Sequence, residues 1–317
     1  MKVLELFGGI GSPRKSLERL GISHEVVDYV EIDKYAVKSY NAIYFESYKP
    51  QDITKWDKDI EVDMIFHGSP CQDFSIAGKG KGGVEGTETR SSLMWHTVRI
   101  VEKLKPKYVI WENVKAVLNK NHKPTFDKYL EQMEALGYTN YYQVMNSKDY
   151  GIPQNRERVF TVSILDDQDF TFPPKQKLKL RLKDMLNLND DRTTHSVMIN
   201  YFKEHYYKKY QSKAGVIKVF DGERQGLFTS DFNTKRIYSY EGISPTLSTK
   251  GKFLIKELKG YNTAKESWIL MGFSDLDFKM AELVSSNSQL YKQAGNSVVV
   301  NVLESLFKEL LKWKIYY

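Results

Sequence analysis

The amino-acid sequence predicts an α/β protein with a doubly wound, mostly parallel sheet and a smaller basic domain. Three observations carry this prediction. Apolar runs of strand length alternate with segments of helical periodicity over the first 165 residues. Glycine-rich or polar turns directly follow several of these runs, as ligand-binding turns do in open α/β sheets. Near residue 170 the alternation ends, and a lysine- and tyrosine-rich stretch without clear periodicity follows.

The elements of the predicted sheet are read from this alternation. Strands are expected at residues 3–7, 25–30, 63–66, 108–111, 142–145 and 159–164. Helices are expected between them, at residues 13–20, 34–43, 93–104 and 125–136. Ser12 followed by Pro13 predicts how the first helix begins, with the serine hydroxyl as N-cap and proline at the first helical position.

The change of pattern predicts three segments along the chain. Residues 1–170 form the α/β domain, and residues 171–255 form a smaller basic domain. Residues 256–317 are expected to return to the first domain, because apolar residues recur every three or four positions from 298 to 311.

The formal net charge of +7 is unevenly distributed over the 317 residues. Residues 171–255 contain 16 Lys and Arg against 8 Asp and Glu, a balance of +8 that leaves about −1 for the remainder. Such a segment indicates either a bound polyanion or a solvated lysine-rich surface, and the charge alone does not separate the two. No apolar run reaches the roughly 18 residues of a membrane span, and no signal-peptide pattern is present, so we expect a cytoplasmic protein.

Two features after the first two predicted strands indicate an adenosine cofactor. The turn Phe7-Gly8-Gly9-Ile10-Gly11 allows a ligand to approach the backbone closely. Glu31 ends the second strand, where a carboxylate commonly accepts hydrogen bonds from ribose hydroxyls. These features alone do not separate a dinucleotide from S-adenosylmethionine.

The sequence contains a single cysteine, Cys71, in the turn after the third predicted strand. One cysteine excludes an internal disulfide and a zinc site built from several thiolates, and no metal site is expected. A lone cysteine is usually a small buried hydrophobe, but here Pro70 fixes the backbone of the turn that presents the thiol. Glu112 follows the fourth strand, and a nucleophile and a carboxylic acid at neighbouring strand ends can reach one substrate.

With these motifs in order, the sequence resembles the cytosine-5 DNA methyltransferase family, and its size and excess of lysine favour a bacterial or phage member. The resemblance rests on six stretches that span residues 3 to about 305. They are the glycine turn, Pro70-Cys71-Gln72, Glu112-Asn113-Val114, Gln154-Asn155-Arg156-Glu157-Arg158, Ser244-Pro245-Thr246-Leu247 and Gln293-Ala294-Gly295-Asn296-Ser297-Val298. The resemblance implies a Rossmann-like, S-adenosylmethionine-dependent methyltransferase that methylates carbon 5 of a cytosine in duplex DNA. It also implies that residues 1–170 are the catalytic and cofactor-binding domain, that residues 171–255 are a target-recognition domain, and that residues 256–317 return to the catalytic domain.

The resemblance also implies roles for four catalytic residues. The Cys71 thiolate attacks carbon 6 of the cytosine, which makes carbon 5 nucleophilic enough to take the methyl group. Glu112 holds the edge of the base at ring N3, and Arg158 donates to its O2. Arg156 supports the pocket or contacts a nearby phosphate.

The cofactor residues implied by the resemblance come from several strand ends. Phe7, Gly8, Gly9, Ile10 and Gly11 line the methionine end, and Glu31 takes the ribose hydroxyls. The remaining positions of the S-adenosylmethionine pocket are Ile32, Asp52, Ile53, Pro70, Leu93, Asn296 and Ser297, with Asp52 receiving the exocyclic amine of adenine.

The cytosine must be flipped out of double-stranded DNA to reach such a pocket. The glycine-rich loop from residue 74 to 89 suits a lid over the flipped base, and contacts with DNA are expected from Gln72, Ser75, Lys79 and Lys81. The resemblance implies action as a monomer, and neither a partner restriction endonuclease nor the recognition sequence can be inferred.

Two stretches depart from the family pattern. Gly8-Gly9 stands where the family often has Ala-Gly, and Thr263-Ala264-Lys265-Glu266 stands where it usually has Thr-Pro-Arg-Glu. The second departure leaves the local backbone conformation undetermined, but it does not affect the assignment of the catalytic class.

Three other functions are weighed against this one. The branch that methylates transfer RNA usually carries a Cys-Phe-Thr tripeptide, and this chain has no second cysteine. An inactive regulatory member usually shows damage in the motifs that are intact here. A nicotinamide-dependent oxidoreductase accounts for the glycine turn and Glu31 only.

Overall fold

The structure is a computed structural model that describes residues 1–70, 90–189, 192, 210–212, 214–221 and 236–311. The chain divides into two compact units. Unit 1 comprises Met1–Met145, Glu157–Pro174 and Val302–Tyr317, and unit 2 comprises Asn146–Arg156 and Lys175–Asn301. No helix among the described residues is long and apolar enough to cross a membrane.

Unit 1 is built on a six-stranded sheet with the strand order β2-β1-β3-β4-β6-β5. The pairs β1–β2, β1–β3 and β3–β4 are parallel, whereas β6 runs antiparallel to β4. The carboxyl ends of the first four strands therefore share one edge of the sheet, which is where such sheets bind their ligands. The strands are β1 (Lys2–Leu6), β2 (Glu25–Val30), β3 (Met64–His67), β4 (Tyr108–Val114), β5 (Thr139–Asn146) and β6 (Glu157–Ile164).

Four helices connect these strands, as the alternation of the sequence predicts. They are α1 (Ser12–Arg19), α2 (Lys34–Tyr44), α3 (Met94–Leu104) and α4 (Lys123–Ala135). The α/β class and the predicted strands and helices of this unit are confirmed, with bounds that differ by at most three residues at each end. The core on one side of the sheet contains Leu4, Leu6, Ile65, Val109, Trp111 and Phe126, all at most 2% exposed.

The start of α1 differs from the prediction. Gly11, not Ser12, is the N-cap residue, and no side chain of the cap accepts a hydrogen bond. The carboxylate of Glu5 on β1 accepts from the backbone N–H of Arg14 instead, at 3.0 Å. A long-range acceptor has therefore replaced the local cap that the sequence indicated, and it satisfies one of the free N–H groups of the first turn.

Unit 2 contains a second, smaller sheet with the strand order β11-β10-β9-β8-β7. Its strands are β7 (Tyr210–Gln211), β8 (Ile217–Asp221), β9 (Arg236–Tyr238), β10 (Leu254–Ile255) and β11 (Gly260–Tyr261). The helices that follow in unit 2 are α5 (Ala264–Ile269), α6 (Asp275–Glu282) and α7 (Asn287–Asn296), and the last helix, α8 (Val300–Leu310), belongs to unit 1 from Val302 onwards.

The two compact units divide the chain at positions other than those of the three segments predicted from the sequence, and those segments stay a prediction. Unit 2 extends to Asn301, so residues 256–301 are grouped with the small sheet, and unit 1 resumes at Val302. In unit 1, Glu304 of α8 pairs with Arg19 of α1, with 2.8 Å between the Oε1 and Nε atoms. The assignment of residues 171–255 to target recognition stays a prediction.

Candidate active site

The glycine turn after β1 is held against the end of β2. The N–H of Gly8 donates to the carbonyl of Val30 at 3.3 Å, and the N–H of Gly9 donates to Oε2 of Glu31 at 3.1 Å. Gly9 has a φ of +55°, and a Cβ built on it would have no heavy atom within 4 Å. The turn therefore requires glycine for its backbone conformation and leaves open space in which a ligand can approach the backbone.

Glu31 is half-buried, and its carboxylate is oriented by two backbone N–H groups. Oε2 accepts from Gly9 and Oε1 accepts from Asp33 at 2.8 Å. Burial raises the pKa of Glu31 above its ordinary value, and these two N–H groups oppose the rise. A carboxylate has about four acceptor sites, so each oxygen retains capacity for a further donor such as a ribose hydroxyl. The next side chain, Ile32, is 69% exposed and offers an apolar surface beside the carboxylate.

The other cofactor candidates of unit 1 differ in what they present. Oδ1 of Asp52 accepts from the N–H and the hydroxyl of Thr54, at 2.9 and 2.8 Å, and these bonds lower the pKa of Asp52. Ile53 is only 5% exposed and belongs to the hydrophobic core, so most of its side chain is not available to a ligand. Pro70 and Leu93 are half-buried.

Cys71 itself and the predicted DNA contacts Gln72, Ser75, Lys79 and Lys81 lie outside the described residues. The two residues before Cys71 are described, and the backbone there is tied to β4. The indole N–H of Trp111 donates to the hydroxyl of Ser69 at 2.9 Å, and the amide of Asn113 donates to the carbonyl of Ser69 at 3.4 Å. All three side chains are buried, so β4 fixes the backbone that leads to Cys71.

Glu112 and Arg158 form an ion pair at the same edge of the sheet. Oε1 of Glu112 lies 3.0 Å from Nε of Arg158, and both side chains remain partly accessible, at 12% and 17%. The antiparallel register places Glu112 opposite Phe160 and Val114 opposite Arg158, so the two are diagonal neighbours on one face. Oε2 of Glu112 points towards Gly68, since a Cβ built on that glycine would lie 3.8 Å from it. The pair thus presents an acceptor and a cationic donor next to the strand end that leads to Cys71.

Arg156, predicted to lie near the catalytic groups, is a buried residue of unit 2. It is 3% exposed, and its guanidinium donates to the carbonyls of Leu247, Gly295 and Ser297 at 2.9, 3.0 and 2.8 Å. These bonds join the stretch after Ser244 to the end of α7. Of its two predicted roles, burial and these three bonds favour support of the surrounding polypeptide over a phosphate contact, and the role of Arg156 stays a prediction.

The remaining cofactor candidates, Asn296 and Ser297, end α7 in unit 2. Asn296 is exposed, whereas Ser297 is buried and its hydroxyl donates to the carbonyl of Gln293 at 2.9 Å. Phe7, Gly8, Gly9, Ile10, Gly11, Glu31, Ile32, Asp52, Ile53, Pro70 and Leu93 all belong to unit 1.

Several residues of the site carried no signal in the sequence. In the sequence, Trp111 and Ser69 are only parts of a strand and a turn, and no motif contains Tyr29 or Tyr44. The hydroxyl of Tyr29 donates to the carbonyl of Gly9 at 2.6 Å, and that of Tyr44 donates to Gly11 at 2.8 Å. Within the described ranges, no group of three or more His, Cys, Asp or Glu side chains is arranged to hold a metal ion.

This arrangement is that of an α/β enzyme whose ligand-binding turn and acidic group follow the parallel strands of one sheet. The chain belongs to the C-5 cytosine-specific DNA methylase family, whose model matches residues 1–312. It is a DNA (cytosine-5-)-methyltransferase, and the family predicted from the sequence is confirmed.

Relatives along nearly the whole chain support this assignment. The chain is 36% identical to the type II methyltransferase M2.ScrFI of Lactococcus lactis subsp. cremoris, over 98% of this chain and 99% of the relative. It is 35% identical to the type II methyltransferase M.HhaI of Haemophilus parahaemolyticus, over 96% of this chain and 92% of the relative. The fold is similar to that of the Entamoeba histolytica methyltransferase EhMeth, with a TM-score of 0.74, 19% identity and 98% coverage of both chains.

Proposed function

We propose that the enzyme uses S-adenosylmethionine to methylate carbon 5 of a cytosine flipped out of a specific sequence in duplex DNA, through a covalent bond to Cys71. The observation that carries this proposal is the Glu112–Arg158 pair, at 3.0 Å and partly accessible, beside the strand end that leads to Cys71. It supplies an acid and a cationic donor where a bound pyrimidine would need them.

The residues at the ends of β1 and β2 fit the cofactor. Open space above Gly9, a half-buried and oriented Glu31 carboxylate, and the exposed apolar side chain of Ile32 match a ligand with a ribose and an adenine ring. Glu31 would bind the ribose hydroxyls, and Ile32 and Asp52 would bind the adenine. When bound, S-adenosylmethionine supplies an electrophilic methyl group on a sulfonium.

The chain's own residues carry the other steps. The thiolate of Cys71 bonds to carbon 6 of the cytosine, while Glu112 shares a proton with ring N3 and Arg158 donates to O2. The electron density that attack places on carbon 5 would form the new bond to the methyl carbon, while the sulfonium–methyl bond breaks and its electron pair remains on the sulfur as a neutral thioether. A base then removes the proton of carbon 5, the electrons of that C–H bond restore the ring double bond, and the thiolate leaves carbon 6.

We also propose the setting in which this reaction takes place. The enzyme acts as a monomer on double-stranded DNA in the cytoplasm of a bacterial cell or of a phage-infected host. The net charge of +8 on residues 171–255 supports their assignment as the DNA-binding, target-recognition segment.

The experiment that tests the proposed mechanism compares wild-type enzyme with Cys71→Ala. Wild type should transfer labelled methyl groups from S-adenosylmethionine to mixed-sequence duplex DNA, with the label in 5-methylcytosine, and sequencing of the modified sites gives the recognition sequence. Cys71→Ala should lose transfer and lose covalent trapping by duplexes that carry 5-fluorocytosine, while it retains cofactor binding. Label at another base, or wild-type turnover by the alanine variant, would contradict the mechanism.

A further inference from the structure

Tyr29 lies directly behind the glycine turn and fills the space that a side chain at position 8 would need. A Cβ built on Gly8 would lie 2.6 Å from Cε2 and 2.7 Å from Cδ2 of the Tyr29 ring. Real Cβ atoms do not approach ring carbons so closely, so an alanine at position 8 requires either the turn or the ring to move.

The Tyr29 ring cannot move aside without disturbing its neighbours. Tyr29 is completely buried, and its ring stacks on that of Tyr40 with 3.9 Å between the ring centroids. The ring of Tyr48 lies on it as well, with a centroid distance of 5.4 Å. The ring is therefore held in a close-packed aromatic cluster of β2, α2 and the segment after α2.

Tyr29 also holds the turn by a hydrogen bond. Its hydroxyl donates to the carbonyl of Gly9 at 2.6 Å. Together with the bonds from Gly8 to Val30 and from Gly9 to Glu31, three consecutive residues of the β2 end bind two consecutive glycines. The carbonyl and the N–H of Gly9 are thus both fixed, and the N–H is bonded to the carboxylate proposed to bind the ribose.

We infer that Tyr29 is a positioning residue for the cofactor turn. Position 8 requires glycine because the Tyr29 ring occupies the space that a side chain there would need, so the two residues act as a coupled pair. This accounts for the departure from the Ala-Gly that the family often has at positions 8 and 9. The inference rests on the proposed function only in naming S-adenosylmethionine as the ligand of the turn.

The coupling is tested with a double-mutant cycle of Gly8→Ala and Tyr29→Ser. Calorimetry gives the Kd for S-adenosylmethionine in the absence of DNA, and thermal unfolding gives the midpoint without any ligand. Gly8→Ala should weaken cofactor binding by about tenfold or more and lower the midpoint, because residues in contact are energetically coupled. In the double variant the serine removes the ring that the alanine would meet, so the combined losses in cofactor affinity and in midpoint should be smaller than the sum of the losses in the two single variants.

The control cycle pairs Tyr29→Ser with Gly21→Ala. Gly21 also has a positive φ, of +65°, but a Cβ built on it meets nothing within 4 Å. The effects in this control cycle should therefore add. If the effects of Gly8→Ala and Tyr29→Ser also add, the coupling is wrong. If Gly8→Ala does not fold, a folded double variant supports the coupling, and an unfolded double variant beside a folded Tyr29→Ser overturns it.

The positioning role is tested with Tyr29→Phe, which keeps the ring and removes only the hydroxyl. Cofactor binding should weaken by several-fold while binding of duplex DNA is unchanged, because a typical hydrogen bond contributes about that much. The control, Tyr138→Phe, removes a comparable buried bond from a tyrosine hydroxyl to the carbonyl of Pro106, at 2.7 Å, and should leave the cofactor Kd unchanged. Wild-type cofactor affinity in Tyr29→Phe would overturn the positioning role.

The proposed function can fail separately from this inference. If wild-type enzyme binds no S-adenosylmethionine, the cofactor assignment is wrong. The coupling of Gly8 and Tyr29 is then still decided by the unfolding midpoints, which need no cofactor.

Discussion

Glu112 and Arg158 are held together by the register of two antiparallel strands rather than by a loop. Their separation of 3.0 Å places a cation beside a carboxylate that is proposed to share a proton with the base. A glutamine at position 112 would still accept a hydrogen bond, but it can neither carry the charge nor exchange the proton.

We therefore expect Glu112→Gln to lower kcat for methyl transfer by about 10²–10⁴-fold, the usual contribution of a positioned acid or base. Cofactor binding should change little, because the residues proposed to bind it follow β1 and β2. The matched control is Glu157→Gln, on the neighbouring strand, whose carboxylate is exposed and pairs with Lys115 at 3.2 Å. Equal kcat values for the two variants would show that Glu112 takes no part in methyl transfer.

Glu5 is a second carboxylate whose surroundings decide its protonation. It is completely buried beneath the first turn of α1, and burial raises its pKa from 4.5 to about 7, although the N–H of Arg14 opposes the rise. The folded state thus binds this proton more tightly than the unfolded state does. The resulting stabilisation is fully present below pH 4.5, the unfolded value, and is lost as the pH rises through about 7.

The free energy of unfolding should therefore fall between pH 5 and pH 8 by an amount on the order of 1–3 kcal/mol from this residue. Glu5→Gln should remove that part of the pH dependence, which denaturant titrations at several pH values would measure. Glu61→Gln is the control, because its side chain is 79% exposed and should leave the slope as in wild type. The expectation fails if Glu5→Gln and wild type show the same pH dependence.

Strand β4 contributes more to the site than its one acidic residue. Trp111 and Asn113 point to the face opposite Glu112, and both donate to Ser69, two residues before the proposed nucleophile. One strand therefore sets the position of the acid on one face and of the turn before Cys71 on the other. A small displacement of that turn should slow attack on the base, because covalent steps depend steeply on alignment.

Trp111→Phe and Ser69→Ala each remove the bond between these two residues. Both should slow covalent trapping by 5-fluorocytosine duplexes by about tenfold or more while cofactor affinity is unchanged. Trp268→Phe is the control, since it removes a buried indole bond to the carbonyl of Leu290, at 3.0 Å, in unit 2. It should lower the free energy of unfolding by a similar amount without slowing trapping. Wild-type trapping rates in both test variants would show that the bond serves stability alone.

At the level of elements, the sequence predicted those strands and helices whose apolar residues recur with a clear period. The strands and helices of unit 1 were found because apolar runs and helical spacing alternate there. The small sheet was not predicted, because strands of two or three residues, such as β9 and β10, are too short to show a period of two. The helix α5 was not predicted either, although its capping box of Thr263 and Glu266 lies in the stretch that departs from the family pattern.

In the candidate site, likewise, the motifs could be predicted from the sequence, whereas the contacts between distant residues could not. The strand ends that carry Glu31 and Glu112 could be predicted, because a carboxylate after a buried strand is visible in the sequence. The bonds that Tyr29 and Trp111 make to the turns could not be predicted, because they join residues 20 and 42 positions apart. The misplaced cap at Ser12 has the same origin, since the acceptor that replaced it comes from another strand.

For the whole molecule, the salt dependence of DNA binding should depend more on where the charges lie along the chain than on the total net charge. Residues 171–255 carry the excess, but some of their cations are already paired. Arg181 and Lys183 share Glu241, and Arg192 forms a buried pair with Glu266 at 2.5 Å. Paired or buried cations release few counterions when DNA binds. The salt dependence should therefore come from exposed lysines, and Lys177 and Lys179 are exposed on either side of Leu178.

We expect the double variant Lys177→Gln/Lys179→Gln to bind duplex DNA more weakly at low salt and with a smaller salt dependence. Each phosphate contact contributes about 0.9 to the slope of log Kd against log salt concentration, so two contacts would lower the slope by about two. Lys105→Gln/Lys308→Gln changes the net charge equally with exposed lysines of unit 1, and its slope should match wild type. Equal slopes in both double variants would mean that net charge, rather than this stretch of residues 171–255, determines binding. A reduced slope confined to the first variant would place DNA phosphates at the start of the proposed recognition segment.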